Sequence, residues 1–562
     1  MLRLLLPLTA LALTGCATTE MAATEGAPPM VSTAAVPTVP VPFMKEVISR
    51  LASDEFEGRG PGTRAEDLTI TEIIARFKAA GVQPGNNGQW LQEVPTVDIT
   101  AKGVSSLTVT GSSKPLSFAY GSDFVAGSYR ATPQTAIANS EMVFVGYGIV
   151  APELGWNDYA GVDMKGKTAI ILINDPDYAM TTEDGPFKGR RMTYYGRWTY
   201  KFEEAARQGA AAALIVHDTF PAAYGWNVVN SSWTGTQHYV QRADKAMGET
   251  QANGWVQKPM AEAILGAAGK DLATLSAAAG RTGFRPVPLG FKASLSFANT
   301  IRTGVSRNVI GILPGTIRKD EYVLYTAHWD HLGRCPADKT GDDICNGAVD
   351  NASGIAGLVA LADMNRRAGP SPRSQVFAAV TLEESGLLGS EWYARNPVYP
   401  LDRTVGGVNI DGLAPIGPAR DATASGGDKS DLTAILKQTL ATMGLRLSSE
   451  PYPERGGYYR SDHFSLAKRG VPMFRVGRGL DLVQGGVEAG KAYSDDYTKN
   501  RYHQPSDQYS PDWNFSGIAQ ETELLYRLGR TLAEGTSWPN WHPTDEFRAV
   551  RDKDCAASPG GC

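Results

Sequence analysis

The chain has 562 residues, 42% of them hydrophobic and 20% charged, and a formal net charge of −5. That length allows two to four domains, and that composition is ordinary for a globular protein with a sizeable core. No long basic run is present, which argues against nucleic acid as a partner.

The N-terminus reads as a targeting segment. Arg3 supplies a short positive region, and Leu4 to Leu13 form an apolar stretch too short to span a bilayer as a folded helix. The following Leu13-Thr14-Gly15-Cys16 resembles a bacterial lipobox, with residues 1–16 as signal segment and Cys16 lipidated. An ordinary cleaved signal peptide is the alternative. Ala17 resembles the residue found in lipoproteins sent to the outer membrane, so the expected location is the cell envelope, facing the periplasm, with lipid on Cys16 as the membrane contact. Four cysteines remain, an even number that suits an exported protein. The simplest pairing is local, Cys335 with Cys345 and Cys555 with Cys562, among three possible connectivities. A cysteine-zinc site is disfavoured because no CxxC spacing occurs.

Residues 17–42 are rich in Ala, Thr, Pro and Val without periodicity and read as a tether. A helix is expected from Pro42, with Met44, Val47, Ile48 and Leu51 on its apolar side. The turn-like Asp54 to Gly60 follows, then a helix over 65–80. Residues 43–137 are assigned to the first part of a domain that resumes at 291–540, and 541–562 to a tail. Between them, 138–290 reads as an insert, with strands at 142–147, 167–173 and 210–216 and a helix at 200–208. From Ser306 onward, strands at 308–313, 322–327, 375–381, 405–410 and 473–476 alternate with helices at 353–366, 390–395, 429–443 and 516–532. That alternation predicts an α/β fold, a mixed, mostly parallel sheet flanked by helices. In such sheets ligands bind at the carboxyl ends of strands, where His328, Glu383 and Asp411 fall.

His328-Trp329-Asp330, Asp350-Asn351, Glu383-Glu384, Asp411 and Tyr502-His503 form the chemically informative set. Two histidines and three carboxylates as ligands, with one further carboxylate as base, make the inventory of a two-metal hydrolase. In order and spacing the set resembles the M28 family of zinc peptidases, which includes bacterial leucyl-type aminopeptidases, glutamate carboxypeptidase II and glutaminyl cyclases. The resemblance covers roughly residues 44–135 and 295–535. The insert, through Phe144 to Gly148 and Trp156 to Ala160, more loosely resembles a protease-associated domain. The fold so implied is zinc-peptidase/phosphorylase-like with a β-rich inserted domain.

Carried over residue by residue, the resemblance implies two zinc ions. His328 and Asp411 would hold one, Glu384 and His503 the other, and Asp350 would bridge them. Asp330 would accept the second N–H of the His328 imidazole, Glu383 would be the general base, and Tyr502 would donate to the oxyanion. His463 would line the pocket and His331 would be structural, with His217, His238 and His542 outside the set. The implied activity is aminopeptidase action on peptides. A carboxypeptidase or dipeptidase is the alternative, for which Arg455, Arg460 and Arg475 are available to bind a carboxylate. A glutaminyl cyclase or a non-catalytic binding homologue is a weaker alternative, since every ligand position and Glu383 are kept.

Overall fold

A strand of 27 residues, Val287–Leu313, organises the fold. Its last part pairs antiparallel with Arg373–Val380, and its first part pairs antiparallel with Gln134–Phe144. One sheet therefore runs through both halves of the molecule in this computed structural model, which describes residues 35–112 and 114–557. Cys16, expected to be lipidated, lies outside the described residues. No helix among the described residues is long and apolar enough to cross a membrane.

On one side of the long strand lie Arg373–Val380, Arg318–His328, Thr404–Ile410 and Met473–Phe474, mutually parallel. Their unbroken apolar runs follow from burial on both faces. Val323, Tyr325 and Ala327 pack under the helices Val41–Leu51, Arg64–Ala79, Gly354–Arg367 and Phe515–Glu534. The alternate residue Leu324 faces the opposite layer, against Tyr393 and Ala394 of Leu388–Arg395 and Leu466 of His463–Ala467. This is the mixed, mostly parallel α/β sheet that the alternating pattern predicts.

On the other side, Gln134–Phe144, Thr168–Leu172, Ala212–His217 and Ala252–Gln257 run parallel. Two expectations are corrected here. Strands Leu107–Thr110 and Phe124–Gly127 pair into this second region and bury Leu107, Val109, Phe124 and Ala126 in its core. The region therefore takes in residues that the pattern assigned to 43–137, because short alternating strands do not reveal which sheet they join. Residues 541–557 are likewise not a tail. Trp541 and Phe547 are buried in the same core as Tyr458, Tyr459 and Phe464, and Trp541 Nε1 donates to the Gly470 carbonyl at 2.8 Å. Isolated aromatic anchors between polar turns carry no periodic signal. The second region and segments of the first thus share one core.

Cys335 and Cys345 are disulfide-bonded. Cys555 is also in a disulfide, and its expected partner Cys562 lies outside the described residues. The loop closed by the first bond rests on the Asp54–Arg59 turn. Gly58 has φ +65°, and a Cβ there would meet the carbonyl oxygens of Cys345 and Gly333 at 2.5 Å, so only glycine fits.

Arg59, next in the chain, is fully buried. Its Nε donates to Trp329 O at 2.9 Å, and Nη1 donates to Leu51 O at 2.9 Å and Asn346 O at 2.6 Å. Its Nη2 donates to Gly347 O at 2.7 Å and Asp350 O at 3.3 Å. Burial lowers its pKa to about 10 against the pull of Asp350 and Asp507, so it stays cationic at neutral pH. One side chain thereby ties the ends of two loops to the first helix. Arg59→Ala is expected to lower unfolding free energy by about 3–5 kcal/mol, the scale for breaking a buried charged contact, with Arg59→Lys recovering part of it. Urea denaturation at unchanged slope reads this, and a loss within experimental error would show that the loops hold themselves.

Candidate metal and catalytic site

His328 ends the strand Arg318–His328, and Asp411 directly follows Thr404–Ile410. The parallel registers pair His328 with Val380 and Ala327 with Ile410, so three strand ends lie level. After Val380, Leu382 takes φ 57° and lifts the chain out of the ladder. Successive side chains in a strand point to opposite faces; beyond this break Glu383 and Glu384 both reach the site. Asp350 precedes the helix Gly354–Arg367, and His503 follows the helix Gly486–Asn500.

His328 Nε2 lies 3.3 Å from Asp350 Oδ1 and 3.4 Å from Asp411 Oδ1. His503 Nε2 lies 3.3 Å from Asp350 Oδ2 and 3.0 Å from Glu384 Oε2. The two oxygens of Asp350 therefore face different histidines. His328 Nδ1 donates to the Asp330 carbonyl at 3.1 Å, which turns the Nε2 lone pair toward carboxylates that can only accept. His503 Nε2 is buried without a hydrogen-bond partner despite two carboxylate oxygens nearby. Donor atoms arranged this way call for a cation between them. Ligands held about 2.0–2.1 Å from a tetrahedral ion sit about 3.3 Å apart, which is the spacing found. The same grouping emerges from ligand-atom convergence, in His328, Asp350 and Asp411. The residues present fit a divalent metal.

The electrostatics are strongly coupled. Burial pushes the Asp350 carboxyl up, but His328 and His503 facing its two oxygens outweigh it and hold it well below the usual range. Burial likewise opposes ionisation of Asp411, yet His328 holds it down at about 2. Glu383 goes the other way, because burial, reinforced by Asp411 and Asp462, raises it well above an ordinary glutamate despite His328. Among the described residues no side chain hydrogen-bonds its carboxylate.

A supporting layer fixes these groups. Asp507 accepts the amides of Val349 and Asp350, each at 3.1 Å, and Tyr497 donates to it at 3.2 Å. Asn351 Nδ2 donates to Ile410 O at 3.1 Å and its Oδ1 accepts Gly412 N at 2.9 Å, coupling the Asp350 turn to the Asp411 strand end. The expectation for Asp330 is corrected. Its carboxylate accepts the amides of Glu383 at 3.2 Å and Glu384 at 3.4 Å. Its Oδ1 stands 3.7 Å from His328 Nδ1, beyond hydrogen-bond reach, and the main-chain oxygen takes that N–H instead. Two amides of the neighbouring turn have claimed the carboxylate. Burial raises its pKa to about 7.

Tyr502 is 40% exposed, with its ring stacked on His503 at 3.8 Å between centroids, so it stands at the mouth. His463 is fully buried against Tyr458 and belongs to none of the converging ligand groups. Of the three arginines, Arg475 contacts Asp411 and Ser425, Arg455 covers the Tyr452 ring at 4.1 Å, and Arg460 has no acidic partner among the described residues. Sequence reasoning missed His331 as a site residue. Its Nδ1 lies 2.7 Å from Glu384 Oε1, and its only signal in the chain is adjacency to Asp330.

The profile of peptidase family M28 matches residues 308–526. Over 138 residues the chain is 33% identical to Aminopeptidase NAALADL1 of Mus musculus, and equally to that of Rattus norvegicus. Those matches span 23% of this chain and 17% of the relatives' length. Among solved structures, the aminopeptidase from Aneurinibacillus sp. strain AM-1 superposes with a TM-score of 0.45 at 18% identity, covering 89% of this chain and 96% of its own. BSAP, a zinc aminopeptidase from Bacillus subtilis, gives a TM-score of 0.39 at 17% identity over 88% and 95%. The stretch that matches peptidase family M28 contains every residue of the converging groups, His328 through Asp411, and His503 as well.

Proposed function

We propose that the chain is a zinc metallopeptidase with two ions per chain that releases N-terminal residues from peptides. The observation that carries the two-ion reading is the division of the Asp350 oxygens between His328 and His503 at 3.3 Å each. The histidine and carboxylate donor set suits Zn²⁺. The curated relatives are named aminopeptidases, which supports the choice of end.

Bound zinc would supply a Lewis acid and bring the pKa of water toward neutrality. The remaining work falls to the chain. Glu383, half-buried and free of side-chain hydrogen bonds among the described residues, accepts a proton from the attacking water and returns it to the leaving amine. Asp330 fixes the turn carrying Glu383 by accepting its amide. Tyr502, at the mouth, offers its hydroxyl to the developing oxyanion.

A carboxypeptidase or dipeptidase is the second reading, favoured by a specific feature. Tyr459 stacks at 6.1 Å on Tyr194 of the second region. That contact brings Arg460 and Arg197 to one seam, where the charge of Arg460 adds to burial in lowering Arg197. Neither arginine has an acidic partner among the described residues, so a substrate carboxylate would be welcome there.

Two outcomes check the first reading. Glu383→Gln is expected to keep two zinc ions by elemental analysis while turnover falls on the order of 10²–10⁴-fold, whereas Asp350→Ala loses metal. A turnover within threefold of wild type in Glu383→Gln would place the base elsewhere. The two readings part on aminoacyl-anilides against N-blocked acyl-amino acids. The first predicts hydrolysis of the former, unaffected by Arg460→Ala. Cleavage confined to N-blocked substrates, lost in Arg460→Ala, would establish the second.

A further inference from the structure

His331 belongs to a third convergent group, with Asp350 and Glu384, whose ligand atoms all lie within 4.8 Å. The geometry separates two roles for it. A ligand shares an ion with its neighbours and stands about 3.3 Å from them; a hydrogen-bond donor to a carboxylate stands at about 2.7–2.9 Å. His503 Nε2 shows the first pattern toward Asp350, at 3.3 Å, and lies 3.0 Å from Glu384 Oε2. His331 Nδ1 shows the second, at 2.7 Å from Glu384 Oε1, and has no ion-pair contact with Asp350. A carboxylate only accepts, so Nδ1 donates.

The two oxygens of Glu384 are therefore divided, Oε1 to His331 and Oε2 to His503. His331 is itself held rigidly. Its side chain is fully buried, and its amide donates to the Arg59 carbonyl at 3.4 Å. A Cβ on Gly347 would stand 2.6 Å from His331 Cδ2, so glycine lets the loop lie against the ring. The ring meets His503 edge-on at 5.5 Å between centroids.

We propose that His331 is a positioning residue that engages one oxygen of Glu384 and so confines that carboxylate to single-oxygen contact with the ion on the His503 side. It would thereby set that ion's affinity and coordination number. The proposal rests on the two-ion reading. Without the imidazole, Glu384 is free to turn and offer both oxygens, or to swing away.

The full chain would be stripped with chelator and reloaded, and zinc affinities measured by competition with a chromophoric chelator. The Co²⁺-substituted visible spectrum would be recorded in parallel, since its intensity falls as coordination rises above four. In His331→Phe the first ion is expected to bind as in wild type. The second should bind about 10–100-fold more weakly, the usual cost of losing an outer hydrogen bond to a ligand, and the Co²⁺ band at that site should weaken. His331→Gln, with an amide donor, should recover affinity and band. Wild-type affinities and spectrum in His331→Phe would overturn the proposal. So would complete loss of one ion in His331→Gln, which is what a ligand role predicts. If His331→Phe does not fold, as judged by thermal unfolding of the metal-free protein, His331→Gln alone decides between positioning and ligation. A wild-type chain that binds only one ion would instead sink the two-ion reading itself.

Discussion

The Asp350 carboxylate faces two histidines that come from segments far apart in the chain. His328 closes a central strand, and His503 lies beyond a late helix, yet each meets a different Asp350 oxygen at 3.3 Å. An ionised carboxylate this buried is costly unless cations and donors surround it. The fold provides them in layers. Asp507 fixes the peptide before it, Arg59 takes its carbonyl, and Asn351 ties the following residue to the strand end that bears Asp411. The anion is placed by backbone hydrogen bonds, which leaves both of its oxygens for the site.

The same logic explains why remote segments matter. Arg59 connects the first helix, the Trp329 carbonyl beside His328 and the loop leading to Asp350. The Cys335–Cys345 bond closes the chain between His328 and Asp350 at its outer end. On the other flank, Tyr194 of the second region meets Tyr459 and Phe464, two aromatics that bracket Asp462 and His463. Trp541 and Phe547 complete that aromatic core. The second region and the segment 541–557 are thus load-sharing parts of the site's surroundings, coupled to it through packing.

Much of this was legible in the chain. The continuous apolar runs gave the parallel strands, because residues buried on both faces need no alternation, and the strand-end positions of His328, Glu383 and Asp411 followed. The supporting groups were not legible. Arg59 acts on carbonyls almost 300 residues away through donors that any arginine has. His331 and the amide-bound carboxylate of Asp330 differ from ordinary surface residues only in what the fold brings against them. The boundary of the second region was missed for a related reason, since pairing partners of short strands are set by the sheet and not by local pattern.

The central claim is that one carboxylate serves two ions. Diffraction from zinc-loaded crystals on both sides of the zinc absorption edge tests it directly. The account predicts two anomalous peaks about 3.5–4 Å apart, one within bonding distance of His328 and Asp411, the other of His503 and Glu384, with Asp350 between. A single peak, or a second peak bonded to His331 in place of His503, would contradict it.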